Sequence, residues 1–149
     1  MNDAHSQPLA EACAEALLSR DRASRQLGIQ LLDVGPGSAR LSMLVTQDHL
    51  QGYGTCHGGL LFTLADSAFA VACNTYDQAT VASGCSIDFL APAQAGDRLV
   101  ATAVEQSRRG RTGLYDVRID NQQGQLIALF RGRAYRVDGA VLVQETREE

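Results

Sequence analysis

Lysine and tryptophan are absent from this chain of 149 residues, proline occurs three times, and no long apolar run is present. Each absence excludes something. Because all 13 cations are arginine, no lysine exists to form a Schiff base, hold pyridoxal phosphate or fill a phosphate-binding loop of the G-K-[ST] kind. No stretch approaches the ~20 apolar residues of a spanning helix, and no basic, apolar, small-residue leader opens the chain, so a cytoplasmic protein that crosses no membrane is expected. A basic excess is also missing. The net charge of -4 and the lack of a basic stripe argue against a nucleic-acid partner. Cys13, Cys56, Cys73 and Cys85 make no C-x-x-C pair and are expected as free thiols. His5, His49 and His57 have neither H-E-x-x-H nor i, i+4 spacing, and Cys56 beside His57 is not a chelating pair, so no metal is expected.

What is present fits one domain over residues 1–149. Leu, Ala and Cys interleave with Glu, Arg and Asp from about residue 8 to 27, which predicts an amphipathic leading helix stopped at Gly28. Ile29 to Val34 and Ala39 to Thr46 read as strands joined by Gly35-Pro36-Gly37-Ser38. A glycine-bearing loop leads into an apolar helix from about His57 to Tyr76. Thr80 to Leu90 then reads as a strand ending at Ala91-Pro92, and three further strands follow at about 97–107, 112–121 and 125–137 as an antiparallel meander. The tail from about 138 to 149 ends in charge and is expected to fray. The class is therefore α+β, an antiparallel sheet of five to six strands wrapped around one long central apolar helix. One sheet cannot enclose a helix alone, so a homodimer is the minimum expected unit.

The stretch Cys56-His57-Gly58-Gly59 through Asp66-Ser67 concentrates the chemistry. An unpaired Asp inside an otherwise apolar helix would cost several kcal/mol, so Asp66 needs a reason to be there. Thr63, Asp66, Ser67 and Asn74 fall within a stripe roughly 100° wide at helical spacing. Gly58 and Gly59, without Cβ atoms, expose backbone N–H groups at the positive end of the helix, where an oxyanion can be stabilised. Asp66 opposite such a donor can attack a carbonyl or deprotonate a water that does. His57 precedes Asp66 by nine residues, about half a turn away in direction and roughly 13 Å along the axis. If both serve one site, that site lies between subunits.

Cys56-His57-Gly58-Gly59 followed by Phe62, Leu64-Ala65-Asp66, Ala68-Phe69 and Cys73-Asn74 resembles the hotdog-fold acyl-CoA thioesterases, in particular the phenylacetic acid degradation type, PaaI. The likeness continues through Val81-Ala82-Ser83, Ile87-Asp88-Phe89-Leu90, Ala95-Gly96-Asp97, Tyr115-Asp116 and Ala128-Leu129-Phe130-Arg131-Gly132, covering about residues 10 to 137. It implies a hotdog fold, hydrolysis of phenylacetyl-CoA or hydroxyphenylacetyl-CoA to the free acid, no cofactor beyond the coenzyme A thioester as substrate, and a homotetramer built from dimers. It also implies that Asp66 is nucleophile or general base, that the Gly58 N–H polarises the thioester carbonyl, and that His57 orients the loop or the sulfur side. Gln51 stands where the family commonly has Asn. The family's strand hydroxyl falls at Ala82, with Ser83 beside it, and Ser83 and Gly59 are further candidate substrate contacts. Arg108, Arg109 and Arg111 around Gly110 suit the coenzyme A phosphates.

Competing readings remain. A hotdog enoyl-CoA hydratase or dehydratase would use the same His and carboxylate without releasing thiol, and a non-catalytic acyl-CoA binding module would turn nothing over. A Cys56–His57 nucleophile pair is disfavoured, because sequence neighbours seldom present their side chains to one another in the needed geometry.

Overall fold

In the computed structural model the described residues run from 5 to 143. The leading helix is broken in two. Helix α1 spans Gln7–Arg20, with the Ser6 hydroxyl accepting from the Leu9 N–H at 3.1 Å and Pro8 in the first turn, where its missing N–H costs nothing. Asp21 then leaves helical geometry (φ −86°, ψ 90°) and starts α2, Arg22–Gln26, by accepting from the Ser24 N–H. A single helix over about 8 to 27 was expected; the Asp side chain competes with the helical backbone for its own downstream N–H and wins.

Strands β1 (Gln30–Gly35) and β2 (Ser38–Leu44) form a hairpin whose two-residue turn is Pro36-Gly37. Gly37 has φ +74°, which proline at the preceding position and glycine here make accessible. A short 3-10 helix, Gln47–His49, precedes the apolar helix α3, Gly58–Cys73, which is followed by β3 (Thr80–Phe89), β4 (Arg98–Arg109), β5 (Thr112–Asp120) and β6 (Leu126–Arg136). All neighbouring strands are antiparallel, in the order β1-β2-β4-β5-β6-β3. The expected meander is β4-β5-β6, and β3 returns to pair with β6 at the edge.

This sheet curls around α3. Its inner face supplies Leu41, Met43, Leu99, Ala101, Ala103, Tyr115, Val117, Ile119 and Phe130, and α3 supplies Leu61, Leu64, Ala65, Ala68, Phe69, Val71 and Ala72, all buried. Alternation along β4 puts every second residue from Leu99 to Ala103 against the helix. Gly132 on β6 is a close-approach site, since a Cβ there would lie 2.8 Å from the Phe69 ring. The sheet covers only part of the helix. Phe62, Thr63, Asp66 and Ala70, at spacings of three and four, are half-buried along the side of α3 that remains partly open.

Edge strand β3 is exposed along most of its length, with Val81 at 50% and Phe89 at 53% accessibility. Such an apolar edge is an adhesive surface. The tail expected to fray is held where it is described: Val141 is buried, its N–H and that of Leu142 donate to Asp77, and Arg20 donates to the Val141 carbonyl. Residues 144–149 lie outside the described residues. Among the described residues no helix is long and apolar enough to cross a membrane.

Candidate active site

His57 is the N-cap of α3. Its Nδ1 accepts from the Gly59 N–H at 2.9 Å, while its carbonyl takes the N–H groups of Leu60 and Leu61 at 3.0 and 3.2 Å. Three of the donors at the helix start are thereby satisfied. The Gly58 N–H is left: among the described residues it donates to no acceptor within the protomer. One N–H at the positive end of a buried apolar helix is thus available to an oxygen carrying developing charge. With Nδ1 accepting, the neutral His57 ring carries its proton on Nε2, and the residue is exposed. Gly59, by contrast, is occupied. Its N–H serves the cap, so its expected role as a substrate contact has no donor behind it.

Gly58 lies in van der Waals range of the strand that follows the helix. A Cβ added there would sit 3.0 Å from Phe89 Cζ. Gln51, Thr55, Gly58, Leu61, Phe89, Leu90 and Pro92 line one cavity of about 340 Å³. Gln51 reaches that cavity with its amide already bonded: Nε2 donates to Thr55 Oγ1 at 2.8 Å, and Oε1 accepts from the Tyr53 N–H. In one protomer Gln51 thus shapes the loop and keeps a second Nε2–H beyond these two bonds.

Asp66 is elsewhere. It is half-buried on the open side of α3, accepts no hydrogen bond among the described residues, and does not line the cavity beside Gly58. Burial raises its pKa above the ordinary carboxylate value, and the Asp21 carboxylate raises it further. A carboxylate made more basic in this way suits a general base or nucleophile. The expected polar stripe divides on inspection. Thr63 donates to the Gly59 carbonyl, Asn74 ties the Ala70 carbonyl to the backbone of Thr80, and Ser67 turns inward against Ser24. Among the described residues, Asp66 alone on that stripe makes no side-chain hydrogen bond.

Ser83 occupies a bulge in β3 between Ala82 and Gly84, and its hydroxyl donates to the Arg133 carbonyl at 3.2 Å. The Arg cluster is not one patch. Arg108 lies over the Tyr76 ring, 3.6 Å from its centroid, and Arg111 donates to the Arg136 carbonyl and pairs with Asp138. Both line a cavity of about 190 Å³ at the C-terminal end of α3 with Gln78, Thr80 and Arg136, which Arg109 does not reach. Arg136 was missed in the sequence because it stands 25 residues beyond Arg111 and arrives through strand pairing (Thr80↔Arg136). Cys56 is buried, and burial pushes its thiol up to about 11, which removes it as a nucleophile at neutral pH.

An apolar helix cradled in a curled antiparallel sheet, with a His-Gly-Gly helix start and one basic carboxylate along the helix, defines a hotdog thioesterase. A model of the thioesterase superfamily matches residues 53–128, and the chain belongs to that superfamily, an enzyme of the thioester hydrolase class. It is 47% identical over 128 residues to the acyl-coenzyme A thioesterase PaaI of Escherichia coli (strain K12), covering 86% of this chain and 91% of that one. Acyl-coenzyme A thioesterase 13 of Homo sapiens is 35% identical over 112 residues, covering 72% of this chain and 79% of that one. The solved structure of the E. coli PaaI protein from the phenylacetic acid degradation operon superposes with a TM-score of 0.89 at 46% identity, over 90% of this chain and 97% of that one.

Proposed function

We propose that this protein is a cytoplasmic acyl-CoA thioesterase of the PaaI type that hydrolyses phenylacetyl-CoA or hydroxyphenylacetyl-CoA in phenylacetate degradation. Water and the thioester give the carboxylic acid and the coenzyme A thiol, and the reaction so written calls for no metal or cofactor. The observation that carries the reading is the complementary pair on α3: an unpaired Gly58 N–H at its start and a basic, unbonded Asp66 carboxylate along it.

The two halves lie eight residues, about 12 Å, apart along one helix. The functional unit is therefore a dimer in which the exposed edge β3 of one protomer meets that of its partner, and two such dimers form the homotetramer. A two-fold axis at that edge sets the helix start of one protomer toward the Asp66 side of the other, twice. The thioester oxygen accepts from Gly58, the His57 Nε2–H faces the sulfur side, and Asp66 attacks the carbonyl carbon or takes a proton from a water that does. Charge develops on the oxygen as the tetrahedral centre forms, and the fixed N–H stabilises it there more than in the ground state. Collapse expels the thiolate, which takes up the proton that water supplies; where Asp66 itself attacks, water then cleaves the acyl-Asp66 anhydride to the acid and restores the carboxylate. Gln51 and Ser83 shape the loop and the strand around the thioester, and the cavity with Arg108, Arg111 and Arg136 takes the phosphates of coenzyme A.

Free-thiol release from phenylacetyl-, hydroxyphenylacetyl-, benzoyl-, short linear and long linear acyl-CoAs, with Asp66→Ala in parallel, tests this. Fastest release with the phenylacetyl group and its loss in the variant are expected. Release from none of them would favour the hydratase or binding-module alternatives.

A further inference from the structure

The residue that breaks the leading helix is connected to the reacting helix. Asp21 Oδ1 accepts from the Ser24 N–H at 2.9 Å and Oδ2 from the Ser24 hydroxyl at 2.6 Å. Ser24 Oγ also lies 2.8 Å from Ser67 Oγ. A hydroxyl has one proton, and that of Ser24 goes to the carboxylate, so Ser67 is the donor in the second bond. The chain has a direction: Ser67 to Ser24 to Asp21. Both serines are buried, at 7% and 2% accessibility, so water does not compete for these bonds. Ser67 immediately follows Asp66.

We propose that Asp21 is a positioning residue for Asp66: through Ser24 and Ser67 it fixes the turn of α3 that carries the reacting carboxylate, and it brings a second negative charge within range of that carboxylate. The proposal rests on the reading of Asp66 given above. Asp21 stands outside residues 53–128, the part of the chain matched to the superfamily, so a group from the leading arm acts on a site in the shared core.

Three titratable groups interact with Asp66. Cys73 lies on its own helix, with its thiol pushed up to about 12 by burial, and Cys85 on β3 is also raised. Burial thus holds both thiols toward their neutral form. Arg133, from β6, acts on Cys85. Among the described residues, Asp21 at the α1–α2 corner is thus the charged group that raises Asp66. Repulsion between the two carboxylates favours the protonated form of Asp66, so its ionised form is the stronger base.

The test uses the whole chain and whichever acyl-CoA of the panel is turned over fastest. Asp21→Asn keeps a side-chain oxygen for the cap and removes the charge. The acid limb of its kcat/KM profile is expected to move to lower pH, a shift that loss of a structural cap alone would not produce, with plateau kcat severalfold lower and KM unchanged. Ser24→Ala keeps the charge and cuts the hydroxyl chain; kcat severalfold lower at unchanged KM is expected. An acid limb that stays in place in Asp21→Asn, or wild-type kcat in Ser24→Ala, overturns the proposal. Asp66→Ala run beside them separates the two readings: full turnover in that variant defeats the assignment of Asp66 itself, whereas its loss with an unmoved acid limb in Asp21→Asn defeats the role of Asp21 alone.

Discussion

Replacing Gly58 by proline removes the N–H assigned to the oxyanion and puts a ring carbon in its place while leaving the helix start intact. Gly58 is the first residue of α3, the position where proline is best tolerated, and His57 before it already has φ −61° and ψ 130°, the extended geometry that a following proline requires. The side effect is steric, because a Cβ there approaches Phe89 Cζ to 3.0 Å, and Phe89 at 53% accessibility has room to give by a few tenths of an ångström. Gly58→Ala carries the same Cβ and keeps the N–H, so the ratio between the two variants removes the Cβ effect and reports the exchange of the N–H for the proline ring carbon. Loss of one oxyanion donor typically costs about 10²–10³ in kcat, or roughly 2.7–4 kcal/mol of transition-state stabilisation. Steady-state thiol release is expected to place Gly58→Ala within about tenfold of wild type and Gly58→Pro lower by a further factor of about 10²–10³, at similar KM and unchanged helical circular dichroism. Equal kcat in the two variants would refute the assignment of the Gly58 N–H.

Asp66→Asn should lower kcat by about 10³ or more, and thermal unfolding should show an equal or higher Tm. The sign follows from the raised pKa: a folded-state pKa above the unfolded value means that ionisation of Asp66 is unfavourable in the native protein, so stability falls as pH rises from the ordinary carboxylate value through the raised one, and the amide avoids that cost. In the wild type the acid limb of kcat/KM should lie above the ordinary carboxylate range, with activity lost as pH falls through the raised pKa. Gly132→Ala forces a Cβ to within 2.8 Å of the buried Phe69 ring; overpacking of about 1–3 kcal/mol outweighs the ~0.5–1 kcal/mol that alanine gains over glycine, so a Tm lower by about 2–8 °C is expected, partly restored by adding Phe69→Leu. Cys56→Ala should leave kcat within about twofold of wild type, because its thiol is neutral and buried.

Much of this was legible in the sequence because the relevant signals are local. Periodicity located the strands to within a few residues, and a His-Gly-Gly start before an apolar run located α3. Side-chain competition was harder to read. Asp21 breaks the leading helix by bonding its own downstream N–H, and nothing in the alternation of Leu and Ala around it announces that. The polar stripe failed for a related reason: spacing placed Ser67 and Asn74 near Asp66, but a spread of 100° is wide enough for one to face α2 and the other the start of β3. The Gly59 N–H is taken by His57, and the Gln51 amide bonds Thr55 and Tyr53 within its own loop, partners that are visible only once the loop is folded. Arg136 joins Arg108 and Arg111 through strand register, a long-range property that spacing does not carry.

The central claim is that the donor and the carboxylate of each site come from different protomers, and mixed oligomers test it most directly. Chains carrying Gly58→Pro and chains carrying Asp66→Asn, each nearly inactive alone, are co-expressed and assayed for thiol release. Random pairing makes half of the dimers mixed, and each mixed dimer holds one site with both groups intact, so activity should recover to about a quarter of wild type per chain. Activity no higher than that of the two parents would mean that both groups act within one protomer, and the shared site would be contradicted.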